Sequence, residues 1–370
     1  MALKRVVVVG GGVIGTSVAV EAVRRGHAVV QLERDAEPRA ASVRNFGLIW
    51  ICGRAGGREL ELALAGRRRW IELAGRARGI GLRTVGALVA ARNGAELDVL
   101  AAAAERQDAA VRQLALLTPD QARRIAPGLE KIVGALHSPL DAIVEPASAL
   151  RALRDLAASS GRYRYLVEHT VVAADGAAVD HRGNRHDADL VVIGTGDFLE
   201  LVPDAVVERA RLTRRRLQML ETEPVAPALP VAVADGDALR YYPVFDVPER
   251  NSLPLPEPVV ERLQAQLLIV PRADGRLTLG DTHVDDPAAA LGSDEQADNY
   301  LLRRAGELLP TRQLRVRRRW TGSYLRRADG ADPVLIERTP AGTLLVTAVG
   351  GMGMTAAPAI AAEALDSVGL

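Results

Sequence analysis

Two kinds of apolar pattern alternate along this chain. Short unbroken runs, such as VVVV at 6–9, the run 27–32, and the stretches within 188–198 and 344–349, are too short for a helix face and predict strands buried on both sides. After the first of them, apolar residues recur at helical spacing over 13–25 and stop at Gly26. The opening of the chain therefore predicts strand, glycine turn, helix and second strand, ending at the acid Glu33. Further on, the same spacing predicts helices over 59–78, 96–117, 147–158 and 294–309. Thr118 before Pro119 and Asp120 has the makings of a cap for a short helix. The helices between 59 and about 120 read as a solvated layer on a second unit.

Strands are expected at 86–91, 163–167 and 171–174, and the segment 213–314 is β-rich, with strands at 217–222, 239–245, 266–271 and 276–280. Asp274 and Gly275 form a hairpin signal, and the prolines of 253–258 mark a loop or a sheet edge. Residues 315–320 alternate like a strand with solvated arginines. Strand-to-glycine turns at Gly10, at Gly194–Thr195–Gly196 and at Gly350, Gly351 and Gly353 suggest one unit assembled from separated segments. The expected division is 1–85, 143–213 and 315–370 for that unit, and 86–142 and 214–314 for the second.

Composition narrows the field without deciding it. At 370 residues the chain has room for two cores, and 48% hydrophobic with 25% charged residues is ordinary for a globular protein. A net charge of +1 offers no electrostatic case for nucleic acid or membrane surfaces. Lys4 and Lys131 are the only lysines, so arginine carries nearly all positive charge and no single arginine stands out. Cys52 is the only cysteine, so no intrachain disulfide forms, which suits a cytoplasmic location. The first strand begins so early that no signal peptide is expected, and no apolar run reaches the roughly eighteen residues of a membrane span.

The chemistry starts at Gly10, Gly12 and Gly15, which have the G-x-G-x-x-G spacing. Such glycines allow a tight turn, close approach of a pyrophosphate, and close helix packing, with the helix N-terminus facing the phosphates. Glu33 lies where a ribose hydroxyl is held, favouring FAD or NAD over NADP. A purely structural strand–helix–strand unit is the competing reading. Residues 41–50, ASVRNFGLIW, read as a loop whose amides face a ligand.

The order of these segments, with Glu145 and Pro146 before a helix and the terminal GGMGMT, resembles the D-amino-acid oxidase superfamily of FAD-dependent oxidoreductases, of the glycine and sarcosine oxidase type. SVRNFGLIW and GDTHVDD are similar to a branch associated with phosphonate metabolism. The resemblance implies an α/β two-domain fold: a Rossmann-like FAD-binding domain of the glutathione-reductase type, and a substrate domain with a mixed antiparallel sheet and flanking helices. It implies that FAD contacts Gly10, Gly12, Val13, Ile14 and Gly15, with Glu33 and Arg34 at the ribose. The loop residues Ser42, Arg44, Asn45, Phe46, Gly47 and Leu48 would follow the pyrophosphate and flavin, and Val172, Thr195 and Gly196 the adenosine. Gly351, Met352, Gly353, Met354 and Thr355 would lie next to the flavin pyrimidine. The cysteine that tethers flavin in monomeric sarcosine oxidases has no counterpart, so the FAD is expected to be noncovalent.

Glycine and D-amino-acid oxidases carry Gly-x-Arg-Pro here, whose arginine clamps a carboxylate. In this chain Tyr324 stands at the arginine's place, and Arg326 or Arg44 is left to take its role. The implied reaction is oxidation of a small primary or secondary amine by hydride transfer to flavin N5, with oxygen or another acceptor reoxidising the flavin. An aminophosphonate such as 2-aminoethylphosphonate or its N-methyl form is the expected substrate. Glycine, sarcosine, a D-amino acid or proline is the alternative, and a noncatalytic dinucleotide-binding protein a remote one. Phe46, Trp50, Tyr241, Tyr242, Phe245, Trp320 and Tyr324 fall in segments expected near the flavin ring. Tyr241, Tyr242 and Tyr324 read equally as a cation–π wall or as strand packing. His283 reads either as acceptor of the amine proton or as a loop histidine satisfied by hydrogen bonds.

Overall fold

The computed structural model describes residues 2–285, 292–310, 314–327 and 331–370. Asp286, the last residue of GDTHVDD, lies outside the described residues.

Six strands make the first sheet, in the order Leu335–Arg338, Leu344–Thr347, Leu190–Ile193, Arg5–Val9, Ala28–Leu32, Tyr163–Leu166. All pairs are parallel except the first. Side chains alternate across a strand, and the run VVVV serves both faces. Val6 and Val8 enter the core formed with the helices Val13–Arg24, Pro146–Ala158 and Gly353–Asp366. Val7 and Val9 pack with Val171 and Ala178 of a small three-stranded sheet on the opposite face. That double burial is why the strand reads as an unbroken apolar run.

The second sheet has eight strands in the order Val316–Arg326, Thr213–Thr222, Leu277–Gly280, Leu268–Pro271, Ala232–Ala234, Ala87–Ala91, Gly134–Ser138, Ala115–Leu117. It is antiparallel apart from the pairing of Ala232–Ala234 with Ala87–Ala91. The helix Glu295–Leu308, capped by Asp294, and the helix Pro119–Ile125, closed by a Thr118–Gln121 capping box, belong to this part of the chain.

Three expectations need correction. The helix expected over 96–117 is a helix Gly94–Ala104, a short turn Ala109–Arg112 and a strand Ala115–Leu117. The buried Arg112 breaks it, donating to the carbonyls of Ile51 and Cys52 and to Asp108, so tertiary contacts override the helix propensity of alanine. The strand expected at 239–245 is a helical turn Ala238–Tyr241 followed by a 3-10 turn Pro243–Phe245. Proline has no N–H for a ladder, and Leu239, Tyr242 and Phe245 bury together at helical spacing. Third, the strand Val316–Arg326, grouped at the sequence level with 315–370, pairs in the eight-stranded sheet, from Thr213 opposite Arg326 to Thr222 opposite Val316. Among the described residues, no helix is long and apolar enough to cross a membrane.

Candidate active site

A cavity of about 990 Å³ is walled on one side by Val9, Leu32, Val346 and Thr347 of the six-stranded sheet and on the other by Leu217, Met219, Leu268 and Ser323 of the eight-stranded sheet. Its size lies at the upper end for small-molecule sites, enough for a large ligand with a second one beside it.

At one end lies the first glycine turn, with Gly10, Gly12, Val13 and Ile14 on the cavity wall. Gly10 has φ +111°, and a side chain there would meet the Gly194 carbonyl at 2.5 Å. A Cβ on Gly15 would stand 2.1 Å from the Gly10 carbonyl, so Gly15 sets the helix–strand packing and does not line the cavity. The Ser42 hydroxyl accepts the Val13 N–H at 2.8 Å, docking the 41–48 loop on the helix N-terminus. The buried Glu33 carboxylate accepts the N–H groups of Gly11, at 2.6 Å, and Asp35, at 3.0 Å, and it borders the cavity. Nearby, the Arg34 guanidinium lies 3.2 Å from the centre of the Phe198 ring, and Thr195 and Gly196 line the same region. Val172 is 58% exposed and is not in the lining, whereas Val171 before it is.

Of the loop, Ser42, Arg44, Asn45, Phe46 and Leu48 line the cavity. Asn45 braces the loop, donating to the carbonyls of Ala41 and Ser42 and accepting the Gly47 N–H. Gly47, at φ +65° with the Val144 carbonyl 2.1 Å from any Cβ, serves this bend and is not itself in the lining. Gly351, Gly353 and Met354 bring a second helix N-terminus to the cavity. Met352 points into the core instead. Thr355 ties helix to loop, its hydroxyl accepting the Trp50 N–H at 3.0 Å and donating to the Leu48 carbonyl at 3.4 Å.

Tyr241, Tyr242, Tyr324, His283 and Arg326 are all in the lining, and so are Phe46 and Trp50. Phe245 is fully buried in the core, and neither it nor Trp320 is in the lining. Tyr241 stacks on His283 with ring centres 3.9 Å apart and meets Tyr242 edge-on at 5.1 Å. The Tyr242 hydroxyl accepts from the Gln266 amide at 3.1 Å. His283 donates from Nδ1 to the Gln264 carbonyl at 3.2 Å, leaving Nε2 as the unprotonated nitrogen, 3.5 Å from Asp281 Oδ2. Burial pushes the His283 pKa down to about 3, so its ring is neutral at neutral pH and Nε2 is a weakened base. Burial pushes the neighbouring Asp281 up to about 7.

Asp281 and Arg215 are among the lining residues that the sequence did not single out. Asp281 sits inside the GDTH motif, two residues before the more conspicuous His283. Arg215 was hidden in the run Arg214–Arg215–Arg216, yet its position opposite Tyr324 in the strand ladder puts it on the cavity wall. Its guanidinium pairs with Asp285 at 2.7 and 2.5 Å and lies 3.4 Å from the Tyr241 hydroxyl. Burial opposes its charge, but hydrogen bonding to Asp285 and the neighbouring tyrosines outweighs it and keeps Arg215 cationic. Arg326 approaches the same Asp285 at 3.2 Å.

Two helix N-termini, glycines that leave no side chain between backbone and ligand, and a buried acid at the end of the second strand fit a dinucleotide. The family described as DAO, FAD dependent oxidoreductase, matches residues 5–366. An opine oxidase subunit from Rhizobium meliloti is 26% identical, with 97% of this chain and 94% of that protein covered. Glycine oxidase from Geobacillus kaustophilus has a similar structure, with a TM-score of 0.77, 21% identity, and coverage of 99% of this chain and 94% of that one. L-proline dehydrogenase from P. horikoshii gives a TM-score of 0.79 at 17% identity, covering 99% and 93%. Iminodiacetate oxidase from Chelativorans sp. BNC1 gives 0.74 at 20%, covering 98% and 95%.

Proposed function

Because the chain belongs to the DAO family of FAD-dependent oxidoreductases, we propose that it oxidises a small primary or secondary amine whose other end is anionic. FAD, when bound, supplies the two-electron acceptor that turns such an amine into an imine, which water hydrolyses. The glycine turns Gly10–Gly12 and Gly351–Gly353, with Ser42 and Glu33, all on the cavity wall, would hold this cofactor without a covalent bond. Cys52 is fully buried in a core and offers no tether.

The observation that carries the reading is the largely buried Arg215 guanidinium on the cavity wall. The Arg215 guanidinium, held by Asp285, stands on the cavity wall beside the Tyr241–His283 stack and the apolar Leu217, Met219 and Leu268, with Arg326 approaching the same carboxylate. A carboxylate is attracted to the Arg215 guanidinium while the apolar side chains exclude water around the amine carbon. Glycine, proline and iminodiacetate, for which the structural relatives are named, are amines bearing carboxylates. The second reading is an aminophosphonate, 2-aminoethylphosphonate or its N-methyl form. It is favoured by the presence of two guanidinium groups within reach of one anion.

Anaerobic bleaching of the visible flavin band tests both. Glycine, sarcosine, proline, iminodiacetate and the two aminophosphonates are compared with ethylamine, which has no anionic end. The expected result is bleaching by one or more of the anionic amines and none by ethylamine. Equal bleaching by ethylamine, or no bleaching by any, sinks the proposal, and bleaching by the phosphonates alone selects the second reading.

A further inference from the structure

The strand Thr213–Thr222 carries three consecutive arginines, and strand alternation gives them different surroundings. Arg214 points to the outside, with its side chain 47% exposed beside Asp197. Arg215 turns inward, with its side chain 11% exposed and its guanidinium on the cavity wall. Two of its nitrogens, Nε and Nη2, are taken up by the two oxygens of Asp285. The third, Nη1, has only the 3.4 Å contact with the Tyr241 hydroxyl. Across the ladder, Arg215 is in register with Tyr324, which also lines the cavity. A guanidinium edge is thus presented between two tyrosines in a water-poor pocket, a setting in which a second oxyanion is strongly attracted.

We propose that Arg215 binds the anionic end of the substrate, with Tyr241 and Tyr324 beside it and Asp285 as the internal carboxylate with which the substrate competes. This rests on the amine-oxidation reading for its choice of substrate, and it deepens that reading by naming the residue that selects for an anion. Arg326 approaches Asp285 as well, at 3.2 Å. Asp285 holds Arg215 in position when no anion is present and weakens anion binding by occupying two of its donors.

The test uses the FAD-loaded protein and two anions that cannot be oxidised as amines, acetate and methylphosphonate, titrated by the change in the visible flavin spectrum. Arg215→Met is expected to weaken the better of the two by about a hundredfold, as loss of a charge-assisted bidentate contact implies, and Arg215→Lys by about tenfold. Asp285→Asn is expected to tighten the same anion by about threefold to tenfold, because a neutral amide no longer competes for the guanidinium. Wild-type protein that binds neither anion overturns the proposal. So does an Arg215→Met protein that binds within about twofold of wild type. If Arg215→Met does not retain FAD, Asp285→Asn decides: unchanged or weaker binding overturns the proposal. The ratio of acetate to methylphosphonate affinity separates a carboxylate from a phosphonate site. Neither ligand depends on turnover. Wild type that binds acetate through Arg215 but is bleached by no amine fails the functional reading and leaves this one standing, while bleaching with unchanged KM in Arg215→Met does the reverse.

Discussion

Asp281 and His283, two residues apart, are driven in opposite directions by the same burial. Asp281 keeps its proton up to about pH 7, and His283 stays neutral down to about pH 3. For Asp281 the folded protein holds a proton that the unfolded chain has released, so its contribution to stability declines as pH rises from the ordinary carboxylate range to about 7. For His283 the unfolded chain takes up a proton that the folded protein refuses, so stability is lost as pH falls from the ordinary imidazole range toward 3. Melting temperatures across pH separate the two. Asp281→Asn is expected to gain on wild type as pH is raised from about 5 to about 8, and His283→Gln to gain as pH is lowered from about 7 to about 4. Flat differences would mean that neither group is perturbed by burial. Residue types around the cavity were legible from sequence, since tyrosines, a histidine and glycines stand out in an aromatic-poor chain. The titration behaviour was not legible, because it depends on how deeply the GDTH turn is packed and on what faces it.

Helix Arg58–Arg76 and helix Gly353–Asp366 fix where the second glycine turn sits. They cross at Gly66, where a Cβ would lie 2.2 Å from the Thr355 carbonyl, and the Trp70 indole donates to the Met354 carbonyl at 2.8 Å. Both contacts act on the first turn of the helix that points into the cavity. Gly66→Ala should therefore push that turn away, costing about 1–3 kcal/mol of stability as overpacking does. Weaker FAD retention should accompany the lower melting temperature; a variant that melts and holds FAD like wild type would show that the crossing has slack. The apolar spacing of the sequence predicted the helix over 59–78, which the structure gives as Arg58–Arg76. It did not point to Gly66, whose role exists only because another helix lies against it. The same reason explains the errors at 96–117 and 239–245. Alanine-rich and apolar segments took the shape required by Arg112 and Pro243 and by their neighbours in space. Long helices with caps and strands buried on both faces were legible because their own residues determine them.

At the scale of the molecule, two sheets are joined along a shared cavity, and lining residues come from segments spread from Val9 to Met354. The order of those segments was readable, since each strand-to-glycine turn announces itself locally. Assigning Val316–Arg326 to a sheet required its pairing partner. A ligand that touches both sheets couples their opening, and a hundredfold excess over its Kd adds about 2.7 kcal/mol to the folded state. The single thiol turns this coupling into a clock. Cys52 has no exposure, Arg112 grips its carbonyl, and its core includes Trp50 and Tyr242, which also face the cavity. A chromogenic disulfide reagent reaches the sulfur only when this region breathes open, so the rate of colour development counts opening events. Added FAD should slow the colour by about a hundredfold at that excess. Colour that develops at the same speed with and without FAD would mean that the region around Cys52 opens independently of the cavity it backs.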